Sequence, residues 1–390
     1  MPYAAALSPL TPTAKALDEV CAAVSGQIGT AADLVLVFFS PHHVENAESI
    51  AAAINERLQP RCLLGCIGES IVGGDQEIEH RPAISLWAAK WGGQAQLEGF
   101  QLALEHTPDG PSLLGWPDAL LSGDCKNSSL LLLGDPFTFP VDLLLRQANE
   151  DFTGLRVMGG MASGVRGPGQ CRLILGERVL TEGAVAVLLE GAPGLRSIVS
   201  QGCRPVGKPL VITAGQQNMI TELGGKKPLE QLQAMWQDLA PRDQALFQQG
   251  PHIGLVMNEY REGFQRGDFL VRNVYGLESN TGALVITDHI RVGQTVQFHV
   301  RDASAADEDL RALLGQDRAA HPTKPAAALL FTCNGRGTHL FAGPNHDATA
   351  LTTEVGAMPT AGFFAQGELG PVGGQNFIHG FTASVVLFEE

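Results

Sequence analysis

The sequence lacks both an excess of positive charge and a long apolar run. Asp and Glu total 41 residues against 26 Lys and Arg, so the formal net charge is −15. Proteins that bind a nucleic-acid backbone carry clustered basic residues, whereas the basic residues here are scattered. No segment reaches the roughly 18 consecutive apolar residues of a membrane span, and the first residues lack the pattern of a signal peptide. We therefore expect a cytoplasmic protein with neither nucleic acid nor a membrane as a partner.

Cysteine motifs are also missing. Seven cysteines occur, an odd number, and none forms a CxxC pair. The closest two, Cys62 and Cys66, have no second pair at zinc-like spacing. We interpret the cysteines as small buried residues in a reducing compartment, and we expect no structural disulfide, no metal and no cofactor.

What the sequence does contain is internal similarity among three segments. Each begins with a short apolar run that ends in turn residues: DLVLVFFSP at 33–41, SLLLLGDP at 129–136 and ALLFTCNGRG at 328–337. A helical stretch, a glycine turn and a second apolar run follow in each segment. Strands separated by a helical crossover are usually parallel and buried on both faces. We therefore predict an α/β fold in which strand, helix, glycine turn and strand repeat three times.

The glycine turns align as GCIGE at 65–69, GGMAS at 159–163 and GFFAQ at 362–366. Their shared pattern places two small residues around a large apolar one and ends in a polar residue, which is Glu69, Ser163 or Gln366. Small residues at such positions allow a close backbone approach, either to a neighbouring element or to a ligand. Both interpretations remain open from the sequence.

The first strand of each segment ends in a polar residue, namely Ser40, Asp135 or Asn334. In open α/β sheets, ligands usually bind in the crevice beyond the carboxyl ends of the strands. We therefore predict that these three residues lie on the rim of a ligand site. Turn residues that bond their own backbone explain each position equally well.

The polar, glutamine-rich stretch at 237–251 is the best candidate for a domain boundary. We predict an N-terminal extension at 1–32, a first domain at 33–240 and a second at 250–390. Because the three-segment pattern straddles this boundary, we expect two interlocked halves with buried mixed sheets and a ligand cleft between them.

Common catalytic signatures are missing, since no GxSxG or HExxH motif occurs and the glycine-rich segments match neither GxGxxG nor GxxxxGK[ST]. The pair His42 and His43 gives only a weak signal for metal. Cys333, with histidines in the same segment, is a conceivable nucleophile or could simply close a strand. We expect a protein that is not an enzyme, with catalysis at Cys333 or a nearby histidine as an alternative.

Polar residues are concentrated near the C-terminus, where Glu368, Asn376 and His379 follow Arg336 in sequence. One interpretation is an internal salt bridge between Arg336 and Glu368, because a buried charge needs a partner. The other is a small zwitterionic ligand, with Arg336 on its carboxylate and Glu368 on its ammonium. In the second interpretation, Asn334, Asn376 and His379 complete the rim of the site.

Several of these segments resemble a known family. CNGRGTHLF, AGFFAQGELGPVGG and FIHGFTASVVLF are similar to the C-terminal signature of FIST domains, and LVRNVYGL resembles the start of that region. LVLVFFSPHH, LLGCIGESIVGG and GGMASG resemble the N-terminal FIST region more loosely. The resemblance implies an intracellular sensory domain for small ligands, amino acids among them, in a family that also occurs beside signalling output domains or an F-box.

Residues 1–32 are too few for either of those additional domains. The resemblance therefore implies a stand-alone sensor that binds a small molecule and signals through a separate protein partner. A protein-interaction scaffold without a ligand is a second alternative, beside the enzyme. The resemblance implies no catalytic residues.

Overall fold

The computed structural model describes residues 2–108, 110–122, 125–191, 194–261 and 263–389. Two compact units divide the chain, one formed by residues 1–199 with 310–390 and the other by residues 200–309. Within the described ranges, every helix is too short or too polar to span a bilayer.

The elements up to Glu190 are, in chain order, β1 (Tyr3–Ser8), α1 (Thr13–Ile28), β2 (Leu34–Phe39), α2 (Ala47–Leu58), β3 (Cys62–Ile67), β4 (Ser70–Gly73), β5 (Gln76–Glu79), β6 (Ile84–Ala89), β7 (Gln96–Thr107), β8 (Gly110–Leu114), β9 (Ser128–Gly134), α3 (Val141–Glu150), β10 (Arg156–Met161), β11 (Leu173–Leu175), β12 (Arg178–Leu180) and β13 (Ala184–Glu190). Then follow β14 (Leu195–Gln201), β15 (Cys203–Gln216), β16 (Met219–Leu223), α4 (Pro228–Asp238), α5 (Pro241–Gln249), β17 (His252–Val256), β18 (Phe269–Leu277), β19 (Leu284–Ile286), β20 (Thr295–Arg301) and α6 (Ala303–Ala320). The last elements are β21 (Ala327–Cys333), α7 (His346–Val355), β22 (Thr360–Ala365), β23 (Glu368–Val372), β24 (Gln375–His379) and β25 (Thr382–Phe388).

The predicted threefold repeat is confirmed. Repeat 1 (β2 to β6), repeat 2 (β9 to β13) and repeat 3 (β21 to β25) each run strand, helix, strand, hairpin, strand. In every repeat the first two strands are parallel, and the last strand lies antiparallel beside the first. A helix between parallel neighbours is the expected crossover.

The hairpins of the repeats are exchanged in a cycle. Hairpin β4–β5 of repeat 1 pairs with β22 of repeat 3, β11–β12 of repeat 2 pairs with β3 of repeat 1, and β23–β24 of repeat 3 pairs with β10 of repeat 2. An additional strand covers the opposite edge of each sheet: β1 beside β6, β7 beside β13 and β14 beside β25. All three sheets therefore share one order of six strands, to which β8 adds a seventh beside β7 in the sheet of repeat 2, and each repeat completes the sheet of another.

The three glycine-rich segments begin inside strands and end one or two residues after them, so each predicted glycine turn coincides with the end of a strand. They form the ends of β3, β10 and β22, where each contains a glycine opposite the parallel first strand. A Cβ on Gly362 would lie 1.8 Å from the carbonyl oxygen of Leu330, and one on Gly159 would lie 2.0 Å from that of Leu132. The glycines thus permit a close approach between strands, which is the packing interpretation.

Apolar side chains of all three repeats share one core. Phe38 of repeat 1 stacks on Phe363 of repeat 3 with ring centroids 5.2 Å apart, and Phe331 lies edge-on to both. Leu131 and Val187 of repeat 2 belong to the same cluster. Separate apolar clusters under α3 and α7 cover the outer faces of the sheets of repeats 2 and 3. Those strands are buried on both faces, as the continuous apolar runs predicted.

Residues 200–309 form their own core. Strands β15, β16, β19, β18, β17 and β20 close a barrel in that order. Alternate residues of β20 are apolar and buried in its interior, namely Val296, Phe298 and Val300. This alternation is typical of strands whose two faces meet different surroundings.

Candidate functional site

Polar residues follow the first two strands of every repeat, at their carboxyl ends. Ser40, Asp135 and Asn334 follow β2, β9 and β21. At the ends of the second strands, Glu69, Ser163 and Gln366 occupy equivalent positions. The cyclic exchange of hairpins brings the ends of β3, β10 and β22 together, so this end of the unit is where the repeats meet.

Ser163 connects the three repeats directly. Its backbone N–H donates to the carbonyl oxygen of Ile67 in repeat 1 at 3.3 Å, and its hydroxyl donates to that of Phe364 in repeat 3. The same hydroxyl accepts a hydrogen bond from the backbone N–H of Glu69 at 2.8 Å. Since Ser163 is fully buried, these bonds fix the relative positions of the strand ends.

A cavity of about 370 Å³ opens beside Ser163. Residues from all three repeats line it: Pro41, His42, Glu69, His80, Gly164, Val165, Arg166, Asn334 and Gln366. The predicted rim residues Glu69, Asn334 and Gln366 are therefore brought together, and their role in binding stays a prediction. A cavity of this size at the carboxyl ends of parallel strands suits a small molecule.

The cavity contains polar groups with unused hydrogen-bonding capacity. The side-chain oxygen of Asn334 is buried and has no hydrogen-bond partner within the described ranges. The exposed guanidinium of Arg166 likewise has no ion-pair partner among the described residues. Glu69 Oε1 lies 3.9 Å from His80 Nδ1. Arg166 and Glu69 therefore present opposite charges on the cavity wall.

Ser40 and Asp135 lie beneath the surface and do not line this cavity. Ser40 accepts a hydrogen bond from the backbone N–H of Ala83 at 3.0 Å. Asp135 accepts bonds from the Phe137 N–H and from the Thr138 hydroxyl, at 3.2 and 2.6 Å. For Asp135 the turn interpretation is therefore the one that the structure supports.

Arg336 is fully buried, and its partner differs from the one that the sequence suggested. Its Nε and Nη2 donate to the two carboxylate oxygens of Asp347, each at 2.7 Å. The Thr332 hydroxyl donates to the same carboxylate at 2.5 Å, and Phe341 faces the guanidinium at 5.3 Å. The predicted salt bridge to Glu368 is wrong, because Asp347 supplies the bidentate contact. The Arg336 guanidinium holds the pKa of Asp347 below its usual range, although burial opposes this effect.

Glu368 is also fully buried and accepts hydrogen bonds from the Thr382 N–H and hydroxyl, at 3.2 and 2.8 Å. Burial raises the pKa of Glu368 to about 8. Glu77, which accepts a bond from the Ala348 N–H at 2.9 Å, has its pKa raised to about 8 by burial and by Asp347. We call Glu77, Thr332, Arg336, Asp347 and Glu368 the Arg336 cluster. Neither Arg336 nor Glu368 lines the cavity, so the structure does not place them against a ligand there.

Asn376 and His379 belong to the exchanged hairpin of repeat 3 and are buried. The Asn376 side chain accepts from the Val157 N–H at 2.7 Å and donates to the Leu155 carbonyl at 2.8 Å. It also donates to the Asn149 side chain at 3.0 Å. These bonds fasten the hairpin to repeat 2. His379 Nε2 lies 3.0 Å from the carbonyl oxygen of Gly370, within the same hairpin. Both residues therefore have structural partners and do not line the cavity.

Cys333 lacks the properties of an activated nucleophile. Burial and the neighbouring Glu368 raise the pKa of its thiol, whereas a nucleophilic cysteine needs a lowered one. The cysteines Cys62 and Cys66 on β3 are buried in the same way, and burial raises the pKa of Cys62 to about 12. Among the described residues, no group of three or more His, Cys, Asp and Glu side chains could hold a metal ion.

Sequence reasoning missed Arg166 and His80 as cavity residues and considered His42 only as a weak metal ligand. Arg166 lies in the glycine-dense segment GGMASGVRGPG, three residues after Ser163. The available signal was its position two residues beyond Gly164. A Cβ added at Gly164 would lie 2.7 Å from the Pro41 ring, so the glycine allows this segment to approach repeat 1 closely. His80 is contributed by the exchanged hairpin of repeat 1, whose placement no local pattern reveals.

Comparison with known proteins places the chain in a family. A model of the FIST N domain matches residues 33–226, and a model of the FIST C domain matches residues 230–371. The chain therefore belongs to the FIST family, whose domains are in general sensory domains for small ligands. These matches give no support for an F-box. The cavity is lined from both matched regions, with Glu69 in the first and Asn334 in the second.

The chain is also similar to mycobacterial proteins along most of its length. An uncharacterized protein of Mycobacterium bovis is 42% identical over 360 residues, covering 92% of this chain and 91% of the relative. An uncharacterized protein of Mycobacterium tuberculosis is 43% identical over 355 residues, covering 91% of each chain.

Proposed function

We propose that the cavity beside Ser163 binds a small ligand and that the protein acts as a sensor for it. The observation that carries this proposal is the cavity itself, which all three repeats line at the carboxyl ends of their strands and which has Arg166, Glu69 and Asn334 on its wall. A ligand that bonds these residues would contact several repeats at once. Its binding energy would then oppose separation of the strand ends, which is how a ligand favours one conformation.

The groups available in the cavity favour a zwitterionic ligand such as an amino acid. Arg166 is the guanidinium that would hold a carboxylate, and Glu69 is the carboxylate that would hold an ammonium. Asn334 also lines the cavity, and its side-chain amide would supply a second polar contact to the ammonium. The residue types match the zwitterion interpretation made from the sequence, but Arg166 and Glu69 replace the buried Arg336 and Glu368.

The signal would pass to a separate protein partner, because sensory domains act by changing the affinity for another molecule. The family resemblance supports this step. The cytoplasmic location also stays a prediction, supported by buried thiols such as Cys62 and Cys66 that suit a reducing compartment.

A thermal-shift screen against amino acids, small carboxylates and nucleotides tests the proposal. A ligand at a hundredfold its dissociation constant stabilises the folded state by about 2.7 kcal/mol, which raises the melting temperature measurably. We expect amino acids to stabilise the wild type and to lose this effect in Arg166→Ala. Arg146→Ala is the matched control, because Arg146 is exposed on α3 and does not line the cavity.

A flat response across the whole screen would contradict the sensor proposal and favour the scaffold without a ligand. Amino acids could also stabilise the wild type while Arg166→Ala and Arg146→Ala reduce this stabilisation by the same amount. That result would place the ligand elsewhere on the protein.

A further inference from the structure

The cavity contains more cationic and donor groups than one carboxylate of a ligand requires. Besides Arg166, the imidazoles of His42 and His80 line it. Glu69 is the only acidic side chain among the described lining residues, and it already lies 3.9 Å from His80 Nδ1. The local charge is therefore more favourable to an anion than the net charge of −15 for the whole chain suggests.

The contacts of Ser40 fix which nitrogen of His42 carries the proton. The Ser40 oxygen accepts the Ala83 N–H at 3.0 Å and lies 3.3 Å from His42 Nδ1. Because Ser40 is fully buried, its hydroxyl hydrogen needs an acceptor, and His42 Nδ1 is the acceptor within reach. His42 Nδ1 therefore accepts, and the neutral imidazole carries its hydrogen on Nε2. The ring of His42, which lines the cavity, thus carries an N–H donor on Nε2.

His80 is held on the same rim by several contacts. Its backbone N–H donates to the Ser70 hydroxyl at 3.3 Å, and its ring lies edge-on to that of His339 with centroids 5.5 Å apart. The residue has a left-handed backbone conformation with φ of 53°. Such a conformation is uncommon outside glycine and persists where surrounding structure holds it. The backbone of His80 is therefore held at the cavity, with its ring beside that of His339.

We propose that the ligand is an amino acid with an acidic side chain, of the aspartate or glutamate class. This inference rests on the proposed function of the same cavity. Arg166 holds the α-carboxylate, Glu69 and Asn334 hold the ammonium, and His42 donates to the carboxylate of the side chain. A neutral side chain would leave the donor of His42 without a charged acceptor, so selectivity follows from the charge of the ligand.

Isothermal titration with matched ligand pairs tests this assignment. L-aspartate and L-glutamate are compared with L-asparagine and L-glutamine, which have the same shape without the second negative charge. Succinate and glutarate provide two carboxylates without an ammonium. We expect each acidic amino acid to bind at least about tenfold more tightly than its amide, which corresponds to about 1.4 kcal/mol. The dicarboxylates should bind more weakly than the acidic amino acids.

The His42→Ala variant separates recognition of the second carboxylate from binding as a whole. We expect the preference for acid over amide to fall to within about threefold, while affinity for the amides changes by less than that factor. His106→Ala is the control, since His106 is exposed on β7 and outside the cavity lining. It should leave every affinity unchanged.

Equal binding of acids and amides by the wild type, or an acid preference that survives His42→Ala, would overturn the inference and leave the sensor proposal standing. Failure of every amino acid to bind would overturn this inference, and the sensor proposal itself would fall only if the small carboxylates and nucleotides of the thermal-shift screen also failed to bind.

Discussion

The Arg336 cluster and the cavity beside Ser163 both contain an arginine and acidic side chains, but the arginine is buried and paired in the first and exposed in the second. Arg336 is fully buried and makes two hydrogen bonds to Asp347, whereas Arg166 is exposed and has no ion-pair partner among the described residues. A buried charge must be paired inside the protein, while an unpaired charge on a cavity rim can be paired by a ligand. The two arginines therefore differ in burial and in pairing, and this difference is the basis on which we propose a structural role for Arg336 and a binding role for Arg166.

The largest expected effect comes from breaking the buried pair. Arg336→Met should lower the free energy of unfolding by about 3 to 5 kcal/mol, because Asp347 would remain as an uncompensated buried charge. Urea denaturation followed by circular dichroism measures this change. Arg57→Met is the control, since the pair of Arg57 with Asp18 is solvent-accessible and should contribute at most about 1 kcal/mol. Equal losses in both variants would contradict the contrast between buried and exposed pairs.

The pH dependence of stability tests the environment of Glu368. The pKa of this group is raised from 4.5 to about 8 in the folded protein, so between these values the folded state holds a proton that the unfolded state has lost. Stability should therefore fall as the pH rises through this window, by up to about 1.4 kcal/mol per pH unit for one proton. Glu368→Gln should flatten the slope and be more stable than the wild type at the alkaline end. The raised pKa of Glu77 also makes stability fall as the pH rises, so the stability of Glu368→Gln should still depend on pH, with a smaller slope.

Denaturation curves at several pH values measure this slope for the wild type and Glu368→Gln. Parallel profiles for the two proteins would show that Glu368 is ionised in the folded state and would contradict the buried, neutral carboxyl.

A smaller loss is expected where the repeats meet. Ser163→Ala should lower the free energy of unfolding by about 1 to 3 kcal/mol, because the Glu69 N–H and the Phe364 carbonyl would lose a partner. Ser129→Ala is the matched control in repeat 2, because the buried Ser129 hydroxyl has no hydrogen-bond partner within the described ranges. Its removal should be neutral or slightly stabilising. A loss at Ser129 as large as that at Ser163 would argue against the connecting role of Ser163.

The smallest effect on folding is expected on the cavity rim. Arg166→Ala should change the free energy of unfolding by less than about 0.5 kcal/mol, as for other exposed side chains without partners. The same variant should lose the stabilisation by amino acids. A large loss of stability without ligand would mean that Arg166 is structural, and the comparison with Arg336 would fail.

The repeated architecture was readable from the sequence because its signals are local. Short apolar runs at 33–41, 129–136 and 328–337 predicted parallel buried strands. The polar residues at the ends of these runs predicted that a ligand site lies at the carboxyl ends of the strands, which is where the cavity is found. Glycine is frequent both in turns and in tightly packed strands, so the sequence alone does not separate the two. Only the position of Leu330 opposite Gly362 distinguishes the two possibilities.

The hairpin exchange and the pairing of Arg336 could not be read in the same way. Nothing in the order of residues shows that a hairpin completes the sheet of another repeat, since this pairing connects residues far apart in sequence. For Arg336, both Asp347 and Glu368 were acidic residues within reach of the same segment. The choice between them depends on α7, whose first turn presents Asp347 to the buried guanidinium.

The most direct test of a ligand site formed jointly by the three repeats is a crystal structure of the protein with the amino acid that stabilises it most. We expect electron density for the ligand in the cavity beside Ser163, with its carboxylate on Arg166 and its ammonium between Glu69 and Asn334. Density for the ligand at any other place, with this cavity holding only water, would contradict the account.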